Sequence, residues 1–225
     1  PGQNPRRDDR PVAQLMLDLR QPDAVRDALA SARPDLLFHL AALADVGASF
    51  KDPWHTLENN IIAQINVLEA VRMLRLPTRI LIVSSAEIYG SAGKDGQPID
   101  EHTPFQPASP YSVSKVTQDM LGLQYFLAYN LPIVRVRPFN HIGPSQRGGF
   151  VAADFASQIA LAEAGQREPV IDVGNLSAER DFTDVRDVVR AYYLLATQGE
   201  PGEAYNVCSG RAYSIQYLLD TLLSY

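Results

Sequence analysis

Along this chain, short stretches that are apolar at nearly every position alternate with longer ones whose apolar residues recur every three or four positions. The short kind comprises QLMLD (14–18), DLLFHLA (35–41), RILIVSS (79–85), PIVRVRP (132–138), PVIDV (169–173) and AYNVC (204–208). Their length and β-branched content predict strands. The long kind predicts helices over 22–32, 54–75, 114–130, 149–165, 184–198 and 214–224. Pro22 suits an early helical position, and Thr183 or Asp184 and Ser214 suit N-caps. Strands apolar on both faces and joined by helices need cover on both sides. The expected fold is therefore α/β, a doubly wound parallel sheet.

In such a sheet ligands lie beyond the carboxyl ends of the strands. Four consecutive predicted strands end in informative residues: Asp18, then Ala41-Ala42, Ser84-Ser85, and Phe139-Asn140-His141. A dinucleotide fold opens with a strand and a glycine-rich turn that lets backbone approach a pyrophosphate, and no G-x-x-G-x-x-G occurs here. The chain opens PGQNPRRDDRP and stops at TLLSY within a helical pattern. The expectation is a fragment whose first strand and turn precede Pro1, with RRDDR (6–10) following a second strand. Residues 1–145 would form the truncated dinucleotide-binding part. Residues 146–225 would mix a partial substrate-binding region (146–180 and 209–225) with a return to the sheet over 181–208.

Composition narrows the function classes. A net charge of −6 with acids and bases interspersed argues against a nucleic-acid surface. One cysteine, Cys208, excludes an internal disulfide and a cysteine-rich metal site, which suits a reducing cytoplasm. The four histidines (39, 55, 102, 141) lack ligand spacing, and no apolar run is long enough to suggest a membrane span.

Tyr111 precedes Lys115 by four residues, one helical turn, so both side chains can share a face. An ammonium beside a phenol lowers the phenol's pKa, which suits proton transfer. Ser85, ending its strand, can hydrogen-bond the oxygen that Tyr111 protonates. The alternative is a capped surface helix with a solvated lysine and a packing tyrosine. Glu87 is a second acid or base, a sugar-hydroxyl ligand, or a loop carboxylate. Arg180 clamps a phosphate or pairs with Asp184 or Asp187. Asn140 and His141 serve a site or form a turn before Gly143-Pro144. His39, inside an apolar strand, reads as a core residue rather than a catalyst. Tyr125, Phe126 and Tyr129 read as packing.

Taken in order, DLR (18–20), FHLAA (38–42), NNIIAQINVLEAVR (59–72), VSSAEIYG (83–90), DEHTPFQPASPYSVSK (100–115) and RPFNHIGP (137–144) resemble the extended short-chain dehydrogenase/reductase family, in its nucleotide-sugar epimerase/dehydratase branch. Within it, residues 139–159, 168–187 and 205–210 are most similar to GDP-6-deoxy-4-keto-mannose reductases. Ala153 and Asp154 stand where dehydratases carry basic residues. The resemblance implies a Rossmann-like fold, NAD(P)H as cofactor, a GDP-4-keto-6-deoxyhexose substrate and a homodimer built on helices 54–75 and 114–130. It implies Tyr111 as general acid, Lys115 on the nicotinamide ribose, Ser85 on the keto oxygen, and Glu87 beside them. Asp18 and Leu19 would meet adenine. Leu40, Ala41 and Ala42 would border the cofactor's ribose and diphosphate. Asn140, Phe150, Val151 and Arg180 would line the GDP-sugar site. Asp45 replaces a serine common in relatives, so hydroxyl recognition there would differ. A GDP-mannose 4,6-dehydratase with Glu87 as base, another epimerase, and a non-catalytic nucleotide-sugar-binding protein on the same fold are the competing readings.

Overall fold

A computed structural model describes residues 12–93 and 97–225. Four strands, β1 (Leu36–His39), β2 (Arg79–Val83), β3 (Ile133–Pro138) and β6 (Ala204–Val207), form an all-parallel sheet in the order β1-β2-β3-β6. Side chains alternate across it, as a period of two requires. Ile80, Ile82 and Ile133 face α3 (Pro53–Met73) and α4 (Pro110–Tyr129), joining Leu68, Val71 and Tyr125 in one core. Leu81, Val134, Val136 and Val207 face the other way, onto Val188, Tyr192 and Ala196 of α6 (Val185–Gln198). The sheet is thus covered on both faces, as the near-continuous apolar strands predict. α1 (Pro22–Ala32) adds Val25 to a smaller core with Val67 and Ala70 of α3.

A second sheet of β4 (Asn140–Ile142), β5 (Glu179–Asp184) and β7 (Ala212–Ser214), ordered β4-β5-β7, was not expected. β5 carries four charges in six residues and reads as loop in sequence. It becomes a strand because β4 and β7 pair both its edges. Phe155 of α5 (Val151–Glu163) and Ile215 and Leu219 of α7 (Ile215–Leu223) fill the core beside it.

Two expected strands are absent. Residues 14–18 form no ladder with any described residue, and Leu15 and Met16 are exposed. An apolar run becomes a strand only where a neighbour takes its backbone groups. Residues 169–173 have such a taker in a side chain instead. Gln158 of α5 accepts from Asp172 N at 2.8 Å and donates to Asp172 O at 3.2 Å, occupying the groups a ladder would use. Helix boundaries also move. α4 begins at Pro110 rather than 114, and a short α2 (Val46–Lys51) precedes α3. The RRDDR segment lies outside the described residues.

Candidate active site

The site grows from the ends of β2 and the start of α4. After Val83 the chain leaves the sheet through Ser84 and Ser85 into a 3-10 turn, Ala86–Tyr89, which Ser85 caps by accepting from Glu87 N at 3.2 Å. The turn stops at Gly90 (φ +60°), where a side chain would run into Gln106 O. α4 starts beside it. Ser109 caps the helix, accepting from Ser112 N at 3.0 Å, while Ser112 Oγ accepts from Ser109 N at 2.9 Å. This capping box and Pro110 at the first position fix where the helix begins. Tyr111 therefore lies in the first turn and Lys115 in the second.

Tyr111 is 8% exposed and Lys115 4%. Ser85 lies beside Tyr111 and favours its phenolate, and the charge of Glu87 reaches the same phenol. The structure thus brings Ser85, Glu87, Tyr111 and Lys115 together. Lys115 Nζ sits 5.9 Å from the Tyr111 ring centre and donates to Val83 O at 2.9 Å. Ser84 Oγ donates to Lys115 O at 3.2 Å.

The electrostatics correct one expectation. Burial pushes the Tyr111 phenol above its ordinary value; the neighbouring Ser85 opposes this and the Glu87 charge adds to it. Lys115 was expected to pull that phenol down, yet desolvation outweighs any such effect. Burial likewise lowers Lys115 to about 8. At neutral pH the pair is a neutral phenol beside a still largely protonated amine. That is the state of a proton donor.

The residues expected around a cofactor divide. Leu19, Leu40 and Ala41 line an apolar cavity of about 270 Å³ with Val25, Leu37 and Val67. Ala42 lies beyond its lining, in the loop after β1. Asp18 is held by Arg20, accepting at 2.9 Å from its N and at 2.8 Å from its Nη2. His39 is buried and bonds Gln118 at 3.5 Å; burial and the Lys115 charge lower it to about 4, so it is a neutral core residue.

Of the residues expected around a sugar nucleotide, Asn140, Val151 and Arg180 line a second cleft of about 470 Å³, with Asp154, Gln158 and Asn175. Phe150, the N-cap of α5, is 44% exposed outside that lining. Arg180 lies on β5, not in a loop, and forms no ion pair with the carboxylates considered for it. Asp184 pairs with Arg186 at 2.5 Å and Asp187 with Arg190 at 3.3 Å. Arg180 Nη1 donates only to Glu179 O, at 2.7 Å, leaving its charge available to an anion. Asp45 caps α2 and faces Gly149 across the cleft's rim. His141 is exposed, bonding Phe139 O at 3.2 Å. No group of metal ligands occurs among the described residues.

Sequence reasoning missed the support beneath the site: Asp119, Arg135, Arg137 and Tyr89, all buried. Its signal was present, two arginines at alternate positions inside the apolar strand PIVRVRP, which require a buried anion on one face.

A sequence model of the GDP-mannose 4,6 dehydratase family matches residues 3–224. The chain is 38% identical over 205 residues to a GDP-6-deoxy-D-mannose reductase of Pseudomonas aeruginosa, covering 91% of this chain and 67% of that protein. It is 32% identical over 190 residues to a GDP-mannose 4,6-dehydratase of Sinorhizobium fredii, covering 84% of this chain and 53% of that one. The structure of RMD from P. aeruginosa complexed with NADPH superposes with a TM-score of 0.89 at 38% identity, over 93% of this chain and 70% of that one. A Thermus thermophilus UDP-glucose 4-epimerase in complex with NAD gives 0.82 at 30% identity, over 92% and 67%. The chain thus spans about two thirds of the reductase and roughly half of that dehydratase. With the family's model matched over nearly the whole chain, and the serine, tyrosine and lysine gathered at the end of a parallel sheet, this chain belongs to the GDP-mannose 4,6-dehydratase family.

Proposed function

We propose that this chain carries the reacting centre of an NAD(P)H-dependent reductase acting on the C4 ketone of a GDP-4-keto-6-deoxyhexose. The carrying observation is a buried, neutral Tyr111 with Ser85 beside it, one helical turn from Lys115. The 38% identity to a GDP-6-deoxy-D-mannose reductase, against 32% to the dehydratase, supports the reductive reading.

The residues present fit the cofactor. Lys115 Nζ has three donors and one protein acceptor, Val83 O, so a buried ammonium retains two N–H groups suited to ribose hydroxyls. Leu19, Leu40, Ala41 and Ala42 would border the adenosine and diphosphate, with Asp18 at the adenine edge. When bound, the nicotinamide supplies a hydride to C4. The chain's own groups manage the proton. Ser85 orients the keto oxygen and Tyr111 gives its phenolic proton to that oxygen as negative charge develops, so the carbonyl ends as a hydroxyl. Holding Tyr111 above its ordinary pKa keeps that proton in place until it is needed.

Arg180 would meet the diphosphate, and Asn140, Phe150 and Val151 the rest of the sugar nucleotide. The same centre with Glu87 as base would serve a 4,6-dehydratase, since the charge of Glu87 reaches Tyr111. Reductant consumption separates the two: reduction uses one NAD(P)H per product, dehydration none net. We further read the enzyme as a cytoplasmic homodimer paired through α3 and α4.

The test is Tyr111→Phe in the whole protein, assayed with NADPH and a GDP-4-keto-6-deoxyhexose. Turnover should fall by a factor on the order of 10²–10⁴, with cofactor affinity nearly unchanged. Near-normal turnover would sink the mechanism.

A further inference from the structure

Beneath the site lies a charge cluster with an unusual balance. Asp119, on α4 one turn beyond Lys115, is fully buried and faces two guanidiniums. Arg135 Nη1 donates to its Oδ1 at 2.6 Å; Arg137 donates from Nε to Oδ2 at 2.8 Å and from Nη2 to Oδ1 at 3.1 Å. One carboxylate cannot use all those N–H groups, and buried donors left over are costly. Arg135 places another on Gly202 O at 2.8 Å. Arg137 sends Nη1 to Tyr89 Oη at 3.0 Å and to Glu101 O at 2.9 Å, with its guanidinium against the contacting rings of Phe105 (4.9 Å) and Tyr89 (5.7 Å). Tyr89 donates onward to Asn206 Oδ1 of β6 at 2.8 Å.

Position makes this more than packing. Tyr89 is the last residue of the 3-10 turn that Ser85 caps and that contains Glu87. Asp119 belongs to the helix that carries Tyr111 and Lys115. Arg137 therefore grips both elements, whereas Arg135 grips only the helix and the Gly202 loop. The bonds Ser84 Oγ to Lys115 O and Lys115 Nζ to Val83 O fix the strand end, and nothing among them reaches the far end of the turn.

We propose that Arg137 and the Tyr89 hydroxyl are positioning residues that set the Ser85–Tyr111 geometry by locking the turn to α4. The proposal rests on the reading of Ser85, Tyr111 and Lys115 as the reacting centre. Small displacements of a group that must meet a developing charge cost large factors in rate.

The experiment is a double-mutant cycle in the whole protein, with NADPH and a GDP-4-keto-6-deoxyhexose. Tyr89→Phe keeps the ring that packs 6.1 Å from Phe105 and removes only the hydroxyl. Its kcat should fall about tenfold, with KM for both substrates within about twofold. In a Ser85→Ala background the same change should cost less than about twofold, because its target is already gone. Arg137→Lys, which keeps a charge opposite Asp119, repeats the cycle should Tyr89→Phe fold poorly. Arg135→Lys serves as the structural control, and any loss of kcat it causes should be equal in both backgrounds. Unchanged kcat in Tyr89→Phe, or an equal loss with and without Ser85, would overturn the positioning role. Retained turnover in Tyr111→Phe would instead overturn the reading of the centre itself, so the two failures are distinguishable.

Discussion

His39 shows how position, rather than residue type, decides a role. In sequence it is an imidazole inside a strand that leads to a candidate active site, and the apolar run around it already marks it as core. The structure buries it against Gln118 and holds it near pKa 4, below its ordinary 6.5. A histidine depressed in the folded state is neutral there while the unfolded chain still takes up protons. Its contribution to stability is therefore complete above pH 6.5 and drains away as pH falls toward 4, on the order of 3 kcal/mol over the window. Urea unfolding at pH 7, 5.5 and 4.5 should show a steeper acid loss for the native protein than for His39→Gln; parallel losses would show that His39 does not drive it. Tyr111 and Lys115 became legible as a pair only with Ser85 at the neighbouring strand end, since their spacing alone also suits a capped surface helix. The sign of the tyrosine's shift was not legible, because spacing reports a neighbour's charge and says nothing of the burial that overrides it.

At the scale of elements, sequence succeeded where burial is two-sided and failed where pairing is local. β1, β2, β3 and β6 are apolar on both faces and were read correctly in place. β5, a run of charges, is a strand only because two neighbours claim its edges, and 169–173 is not one because Gln158 claims its backbone. The start of α4 was misplaced for a related reason. Ser109, Pro110 and Ser112 form a complete N-terminal signal, but the apolar period becomes visible only further along. This cap positions Tyr111, the proposed proton donor, so its loss has two readouts. Ser109→Ala should cost about 1 kcal/mol and lower the thermal midpoint by about 2–4 °C. Turnover should fall more than that small loss of stability explains, as the first turn carrying Tyr111 frays. A melting curve identical to the native protein's would count against the capping role.

For the molecule as a whole, the two long helices pose a question of partnership. α3 and α4 pack on each other and on the sheet through Leu68, Val71 and Tyr125. Away from the sheet they still show Ile62, Met73, Val113 and Leu127, the last 72% exposed, with Trp54 at the start of α3. Both helices thus keep apolar side chains exposed, and where such residues adjoin they mark interfaces. A two-fold pairing lets the same patch cover itself, which is how most homodimers are built. The family resemblance read in the sequence led to the same two helices, but it could not say which residues face outward. If the dimer forms there, a charge on this face must be buried without a partner, at a cost of several kcal/mol per subunit. Leu127→Glu should then convert the protein to a folded monomer in sedimentation velocity, halving its mass while leaving its circular dichroism unchanged. The same substitution in an exposed monomer surface would leave the mass as it was, and that result would place the subunit contact elsewhere.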